Sequence, residues 1–353
     1  MTGGAAKAAA DAAKPIADAT KPVAGATKRP RILSGMRPTG KLHLGNYLGA
    51  LQNWVDLQAT SENLHMVADW HALTTDYEHT DQLAPNTIEM VTDWLAAGID
   101  PERSPVFIQS HVKEHAELHL LFSMLVTTSR LERNPTVKEQ VRDLNLEQTM
   151  SYGHLGYPVL QAADILLYKA NLVPVGEDQV PHVEVTREIA RKFNSLYGEV
   201  FPVPEAKLTR FPRLPGLDGR RMSKSLGNTV LLSDSPEEIA AKIRTAYTDP
   251  KKLRANDPGN PDGCVVFAYH RAFNGENAES IGADCRAGRL GCVANKRNLA
   301  AILAEQLRPF REKREELLAH PERVREALRS GEERARKIAQ ETMREVREAM
   351  KLP

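Results

Sequence analysis

Residues 31–47 read RILSGMRPTGKLHLGNY. A short apolar strand opens the stretch, a turn-rich segment follows, and after HLGN the pattern becomes an amphipathic helix expected over 47–58. Strand, glycine-containing turn and helix start together make a generic phosphate-handling unit. The first turn of a helix offers unpaired backbone N–H groups and the positive end of a dipole.

Two readings of this unit compete. Residues 35–41, GMRPTGK, satisfy the G-x-x-x-x-G-K pattern of P-loop nucleotide hydrolases, and the apolar run ending in Asp69 could supply their second motif. That loop needs Ser or Thr next, to hold Mg²⁺, and here Leu42 follows. Pro38 also removes an N–H that the cradle requires. The other reading takes PTGKLHLGN (38–46) as resembling the HIGH signature of class I aminoacyl-tRNA synthetases, in an HLGN form. Gly45 lets backbone approach a nucleotide, and His43 and Asn46 face its phosphates. Taken alone, Asn46 is equally a helix cap and His43 a half-buried turn residue. A partner motif lies downstream. Residues 221–225, RMSKS, resemble the KMSKS loop, set between Pro212, Pro215, Gly216 and Gly219 on one side and Gly227-Asn228 on the other. A lysine on a mobile loop suits a moving phosphate. By itself the segment is as easily a solvated basic loop; the two motifs in this order support each other.

Between them, apolar strands (32–34, 65–68, 106–109, 172–175) alternate with helices (47–58, 82–97, 114–126, 157–169, 182–197). Alternation of this kind predicts an α/β fold, a Rossmann-like parallel sheet with helices on both faces. Ligands then bind beyond the carboxyl ends of strands, where 34–46, 69–71 and 176–179 fall. Two segments stand out. YPVLQAADILLY (157–168) is an apolar helix with Asp164 at its middle, and a buried carboxylate is costly unless donors reach it. The donor is either a substrate N–H or O–H or another side chain of the protein. GEDQ (176–179) directly follows a strand; it is either an acidic helix start or a holder of ribose or amine. From SPEE (235–238), a capping pattern, the chain turns helical, with a Pro/Gly/Asp-rich loop at 249–263 and helices over 295–319, 321–330 and 331–350. Three parts are expected: a low-complexity, disordered extension over 1–29 with a heptad repeat at Lys14 and Lys21, a catalytic domain over 30–235 including the RMSKS loop, and a helical region over 236–353.

Composition bounds the rest. The 353 residues carry 41% hydrophobic side chains and a net charge of only +1, which gives no global basic field. Residues 294–353 hold 15 Lys and Arg against 11 Asp and Glu, net +4, suited to an RNA-touching end and equally to a solvated helical surface. There is no apolar run of membrane-spanning length and no secretory h-region, so no membrane association and a cytoplasmic protein are expected. Three cysteines, odd in number and widely spaced, argue against a disulfide framework.

HLGN, VADWHALT (67–74), QAADILLY, VPVGEDQ and RMSKS in this order resemble the bacterial tryptophanyl-tRNA synthetases, a class I family, from residue 31 onward. The resemblance implies ATP contacts at Arg37, Pro38, Thr39, Gly45, Asn46, Gly176, Glu177 and Asp178. It implies the triphosphate loop at Arg221, Met222, Ser223, Lys224 and Ser225, adenine reading at Leu214 and a further phosphate lysine at Lys138. Asp164 matches the carboxylate that accepts the indole N–H, with His71, Gln179 and Gln161 near the amino acid. The implied reaction activates tryptophan with ATP and passes it to the terminal ribose of a tRNA. His43, Lys224 and Arg221, with Mg²⁺ brought by ATP rather than bound by protein side chains, would neutralise phosphate charge. A homodimer and anticodon recognition by the helical region are implied too. Arg37 stands where Gln is common, and Gln161 where Met is common. Gln161 keeps open a tyrosine-specific enzyme of the same fold, which GEDQ and RMSKS disfavour against GSDQ and KFGKS. A synthetase-like paralogue with a regulatory or protein-binding role is the remaining alternative. Cys264, Cys285 and Cys292 follow C-x20-C-x6-C, with Asn295 where some members carry a fourth cysteine; an iron–sulfur cluster is not expected.

Overall fold

The computed structural model describes residues 29–143, 145–146, 148–208 and 214–353. Five strands, β1 (Arg31–Met36), β2 (Glu62–Val67), β3 (Val106–Ile108), β4 (Leu172–Val175) and β5 (Glu205–Leu208), form one parallel sheet in the order β3-β2-β1-β4-β5. The chain winds outward from β1 in one direction, then from β4 in the other. That reversal leaves a crevice at the carboxyl ends of β1 and β4, the topological switch point where such sheets take ligands.

Two apolar clusters cover the two faces. One gathers Leu42, Leu44, Leu51, Trp54 and Trp94 with Ile239, Tyr269, Leu299 and Phe310 of the later helices. The other gathers Leu64, Phe107, Phe122, Ala163, Leu167, Phe193 and Met343. The helices beyond residue 236 therefore share a core with the HLGN segment. The last helix, Pro321–Met350, reaches both clusters: Val324 and Leu328 belong to the first, Ala335, Ala339, Met343 and Val346 to the second. It crosses the sheet edge at β3, where Gly331 meets the Val106 backbone and any Cβ would collide with the Val106 carbonyl oxygen.

Five local departures from the sequence expectation have physical causes. β5 was not foreseen, because its residues, EAKL, are all exposed and give no apolar alternation. The helix expected from 157 starts at Tyr152: Ser151 caps it by accepting the His154 N–H (3.1 Å), and Pro158 is tolerated inside. The helix after HLGN widens to a π turn over Tyr47–Leu51 before continuing as Gln52–Leu57; such turns recur at functional sites. The stretch 295–319 divides into Cys292–Gln306 and Arg308–Ala319, with Pro309 in the first turn of the second. The helices expected over 321–330 and 331–350 are one, since Gly331 serves close packing and not termination. The expected start over 235–238 is present as a full capping box between Ser235 and Glu238. Residues 1–28 of the expected extension lie outside the described residues.

Candidate functional site

A cavity of about 350 Å³ opens at the switch point. Leu33 and Gly35 of β1, Met66 of β2 and Val173 and Val175 of β4 form much of its wall. Of the residues expected from the sequence, Arg37, His71, Gln161, Asp164, Gly176 and Gln179 line it.

Asp164 forms the deep end. It sits on helix Tyr152–Leu167 with 2% of its surface exposed. Three side chains donate to it: His71 through Nε2 to Oδ2 (2.8 Å), Gln109 through Nε2 to Oδ1 (2.8 Å) and His115 through Nδ1 to Oδ1 (2.6 Å). Nε2 of His115 meets the Tyr168 hydroxyl at 2.8 Å. Burial alone would raise the Asp164 carboxyl, but the hydrogen bonds and charges of His115 and His71 outweigh it and hold it below the usual carboxylate range. The group is thus an anion fixed at the deep end of the cavity. A carboxylate offers about four lone-pair sites. Three are taken here, and the remaining one, on Oδ2, suits a single N–H or O–H donor on a flat apolar ligand.

Neither Gln109 nor His115 was singled out from the sequence. They come from the end of β3 and from helix Glu114–Ser123, far from Asp164 in the chain, and no local pattern marks them. Tyr157, whose hydroxyl meets His182 Nε2 at 2.8 Å, and Gln140 also line the cavity unforeseen.

The rim is built from loops. Gly35-Met36-Arg37 leaves β1, and Arg37 donates to Thr75 Oγ1 (3.2 Å). Desolvation first, and the like charge of Arg221 after it, lower the Arg37 guanidinium, so the cations of two distant motifs face one space. Gly176 leaves β4, and a Cβ there would stand 2.8 Å from Asp178 Oδ1. Glu177–Gln179 form a 3-10 turn, tied by Thr136 Oγ1, which donates to the Asp178 carbonyl (2.9 Å). Lys138, on the same helix as Thr136, is exposed and outside the cavity wall; Thr39, Glu177 and Asp178, also exposed, half-buried Gly45 and Asn46, and buried Pro38 likewise do not line it.

HLGN and RMSKS are stitched together. The Leu44 N–H donates to Val230 O (3.0 Å) and the Leu232 N–H to Leu42 O (2.9 Å), with His43 paired antiparallel to Leu231. The segment after residue 41 is therefore a strand-like pairing, not the helix that a P-loop would begin. His43 and Asn46 cap each other: Asn46 N–H donates to His43 Nδ1 (3.2 Å), and His43 N–H to Asn46 Oδ1 (3.1 Å). Burial, and then the charge of Lys224, lower His43 to about 4. With Nδ1 accepting, the neutral ring offers Nε2–H. Without ligand, His43 is a hydrogen-bond donor through Nε2.

In the second motif, Lys224 Nζ donates to the Thr39 carbonyl and stands 3.4 Å from Thr39 Oγ1, closing RMSKS onto the PTG turn. Asn228 braces the loop: Oδ1 accepts from the Ser223 N–H (2.8 Å), and Nδ2 donates to Arg221 O (3.0 Å) and Asp218 Oδ1 (2.8 Å). Ser223 and Ser225 hydroxyls meet at 2.8 Å. Met222 is buried against Gly45, whose absent Cβ would lie 3.1 Å from its sulfur and 3.0 Å from the His43 ring. Leu214 is buried in the first apolar cluster. Cys264, Cys285 and Cys292 are half-buried free thiols, and Asn295 Oδ1 meets His270 Nε2 (2.9 Å).

The family model for class I tRNA synthetases (W and Y) matches residues 26–308. The chain is 53% identical to the tryptophan–tRNA ligase of Thermotoga maritima, covering 91% of this chain and 99% of that protein. It is 47% identical to the tryptophan–tRNA ligase of Aquifex aeolicus, covering 92% of this chain and all of the relative. Among solved structures, the tryptophanyl-tRNA synthetase of Campylobacter jejuni, complexed with ADP and tryptophan, superposes with a TM-score of 0.82 at 35% identity, over 91% of this chain and all of that one.

Proposed function

Because this chain belongs to the class I tRNA synthetases for tryptophan and tyrosine, we propose that it is the tryptophan enzyme: it joins L-tryptophan to its tRNA at the expense of ATP. The 53% and 47% identity to tryptophan–tRNA ligases over nine-tenths of the chain carries the choice of amino acid. Asp164, an ionised carboxylate with one lone pair open at the end of the cavity, is suited to accept the single indole N–H.

The tryptophan carboxylate is already a nucleophile, so no protein base is needed. It attacks the α-phosphate of MgATP, a bond to phosphorus forms as the bond to pyrophosphate breaks, and the 3′-terminal ribose hydroxyl of the tRNA then takes the tryptophanyl group, with AMP and the hydroxyl proton leaving. The protein supplies position and charge. Arg37, Arg221 and Lys224 bring cations to the rim, His43 offers Nε2–H and Gly45 keeps the backbone close. Gly176, Glu177 and Asp178 lie at the end of β4, where a ribose and its phosphates would rest, and His71, Gln161 and Gln179 border the amino acid. Leu214 is assigned to the adenine, and Lys138, on helix Pro135–Asp143, to the phosphates.

Mg²⁺ enters with ATP as part of the substrate. The helical region after residue 236 is assigned to the anticodon end of the tRNA, and the enzyme to the cytoplasm, where charged tRNA is consumed. Among the described residues no helix is long and apolar enough to cross a membrane. We further assign two copies to the working enzyme, because Leu120, Met124 and Tyr152 expose 57, 68 and 69% of their surface on two adjoining helices. Sedimentation at micromolar concentration checks this, and a monomer would refute it.

Amino-acid-dependent ATP–pyrophosphate exchange tests the function. Exchange with tryptophan and not tyrosine is expected. Exchange with tyrosine alone would give Gln161 the deciding weight, and no exchange with either in a protein that binds ATP would favour a paralogue.

A further inference from the structure

One buried charged group next to the site takes no part in the chemistry above. Asp93, in the last turns of helix Leu83–Ala96, has none of its surface exposed. One carboxylate oxygen, Oδ2, accepts the backbone N–H of Leu42 at 2.7 Å, one residue before His43. The other, Oδ1, accepts Nε of Arg314 at 2.7 Å. Arg314 lies on helix Arg308–Ala319, 6% exposed, and its second nitrogen is paired with Glu89, one turn before Asp93. The carbonyl of the same Leu42 accepts from Leu232, just beyond the RMSKS loop. Leu42 is thus held on one side by the segment that follows the second signature motif and on the other by a carboxylate whose remaining oxygen is bound by the C-terminal helices.

We propose that Asp93 and Arg314 are positioning residues for amino-acid activation: Arg314 orients the Asp93 carboxylate, which fixes the Leu42 N–H and with it His43 and Gly45 at the nucleotide. The inference rests on the reading of HLGN as the nucleotide motif. It makes the geometry of that motif depend on the seating of a helix from the region assigned to the anticodon, through two hydrogen bonds in series. A carboxylate is required because two separate donors reach its two oxygens. Asparagine has one acceptor and one donor group, so in D93N either the Leu42 N–H loses its partner or an amide N–H faces the Arg314 N–H.

The same logic gives a rescue. In the double variant D93N/R314Q, asparagine accepts from Leu42 through Oδ1 and donates through Nδ2 to the glutamine oxygen, so an uncharged chain of the same polarity re-forms. The experiment compares wild type, D93N, R314Q and the double variant in the full chain. It measures kcat and KM for ATP in tryptophan-dependent exchange, the Kd of tryptophan by equilibrium dialysis, and amide hydrogen exchange of the peptide over 38–48. In each single variant kcat is expected to fall about ten- to a hundredfold, the cost of a misplacement near 1 Å, while tryptophan Kd stays within about twofold. Protection of the 38–48 peptide should drop in both single variants and return in the double, with kcat recovering to within about fivefold of wild type. A wild-type rate in D93N, a double variant worse than either single one, or a parallel loss of tryptophan binding would overturn the proposal. If wild type itself shows no exchange, the functional reading fails, and the hydrogen-exchange pattern still decides whether Asp93 anchors Leu42.

Discussion

At the deep end of the cavity, Asp164 is held by three side-chain donors from three separate elements, whereas at the rim Lys224 leans on a backbone carbonyl of a neighbouring loop. The deep end is buried and its polar atoms are nearly all spoken for. The rim is half exposed, and its braces, Asn228 and the serine pair, lie within one short loop. In the proposed function, the difference follows from what each end would handle. Choosing one amino acid demands an acceptor that cannot turn toward another donor. Carrying a triphosphate to its leaving point demands charges that can follow it.

The largest expected effect tests the deep end. Asp164→Ala removes the acceptor and strands the donors of His71, Gln109 and His115. The kcat/KM for tryptophan should fall by about 10³-fold or more, given that sites built around one such bond discriminate by 10⁴–10⁵. Denaturant unfolding should show a loss of about 3–5 kcal/mol, as for other buried charges that lose a partner. Unchanged preference between tryptophan and tyrosine would take Asp164 out of the pocket and end the contrast. Next comes the rim: Lys224→Ala should cut the activation kcat by about 10²–10³-fold and leave tryptophan affinity alone. The reverse result would mean that the loop binds amino acid and not phosphate.

A smaller effect lies at the seam of the two motifs. In Gly45→Ala the new methyl meets the His43 ring at 3.0 Å and the Met222 sulfur at 3.1 Å. About tenfold in ATP-dependent rate, equivalent to roughly 1.4 kcal/mol, is expected in steady-state exchange. An unaffected rate would show that the RMSKS loop yields at no cost. The smallest effect concerns acid. Burial lowers His65 to about 3 and His182 to about 4, and burial with the Lys224 charge lowers His43 to about 4, against an ordinary 6.5. Between those values the unfolded chain binds protons that the folded one refuses, so stability is complete above pH 6.5 and declines as pH falls toward 4. Each histidine contributes up to about 1.4 kcal/mol per pH unit in that window. Melting temperatures measured from pH 8 to pH 4.5 should be flat and then fall, and His65→Phe should make the fall shallower. A flat profile throughout would contradict the burial of these rings.

Motif residues were legible in the sequence because their chemistry is local. HLGN, GEDQ, RMSKS and the lone Asp164 in an apolar helix each announce a polar group where the neighbours are apolar or turn-forming. The alternation of strands and helices was legible for the same reason, since each element carries its own period. What escaped was assembled over distance. Gln109 and His115 reach Asp164 from other elements, and Asp93 meets Leu42 from 51 positions away. β5 escaped because an edge strand with both faces wet has no pattern to show, and the expected helix start at 157 fell short because the cap lies earlier, at Ser151.

Helix Pro321–Met350 carries a further consequence. It completes the apolar clusters on both faces of a sheet whose first strand begins at Arg31, and it lies over β3, the strand at one end of the sheet. Contacts of such separation make folding slow, because the closure entropy falls due before the reward. During translation the sheet has to wait, its β3 edge uncovered and open to pairing with other chains, until this helix has left the ribosome. The chain therefore reaches its finished shape late, and the step most exposed to aggregation is the interval between making the sheet and covering it.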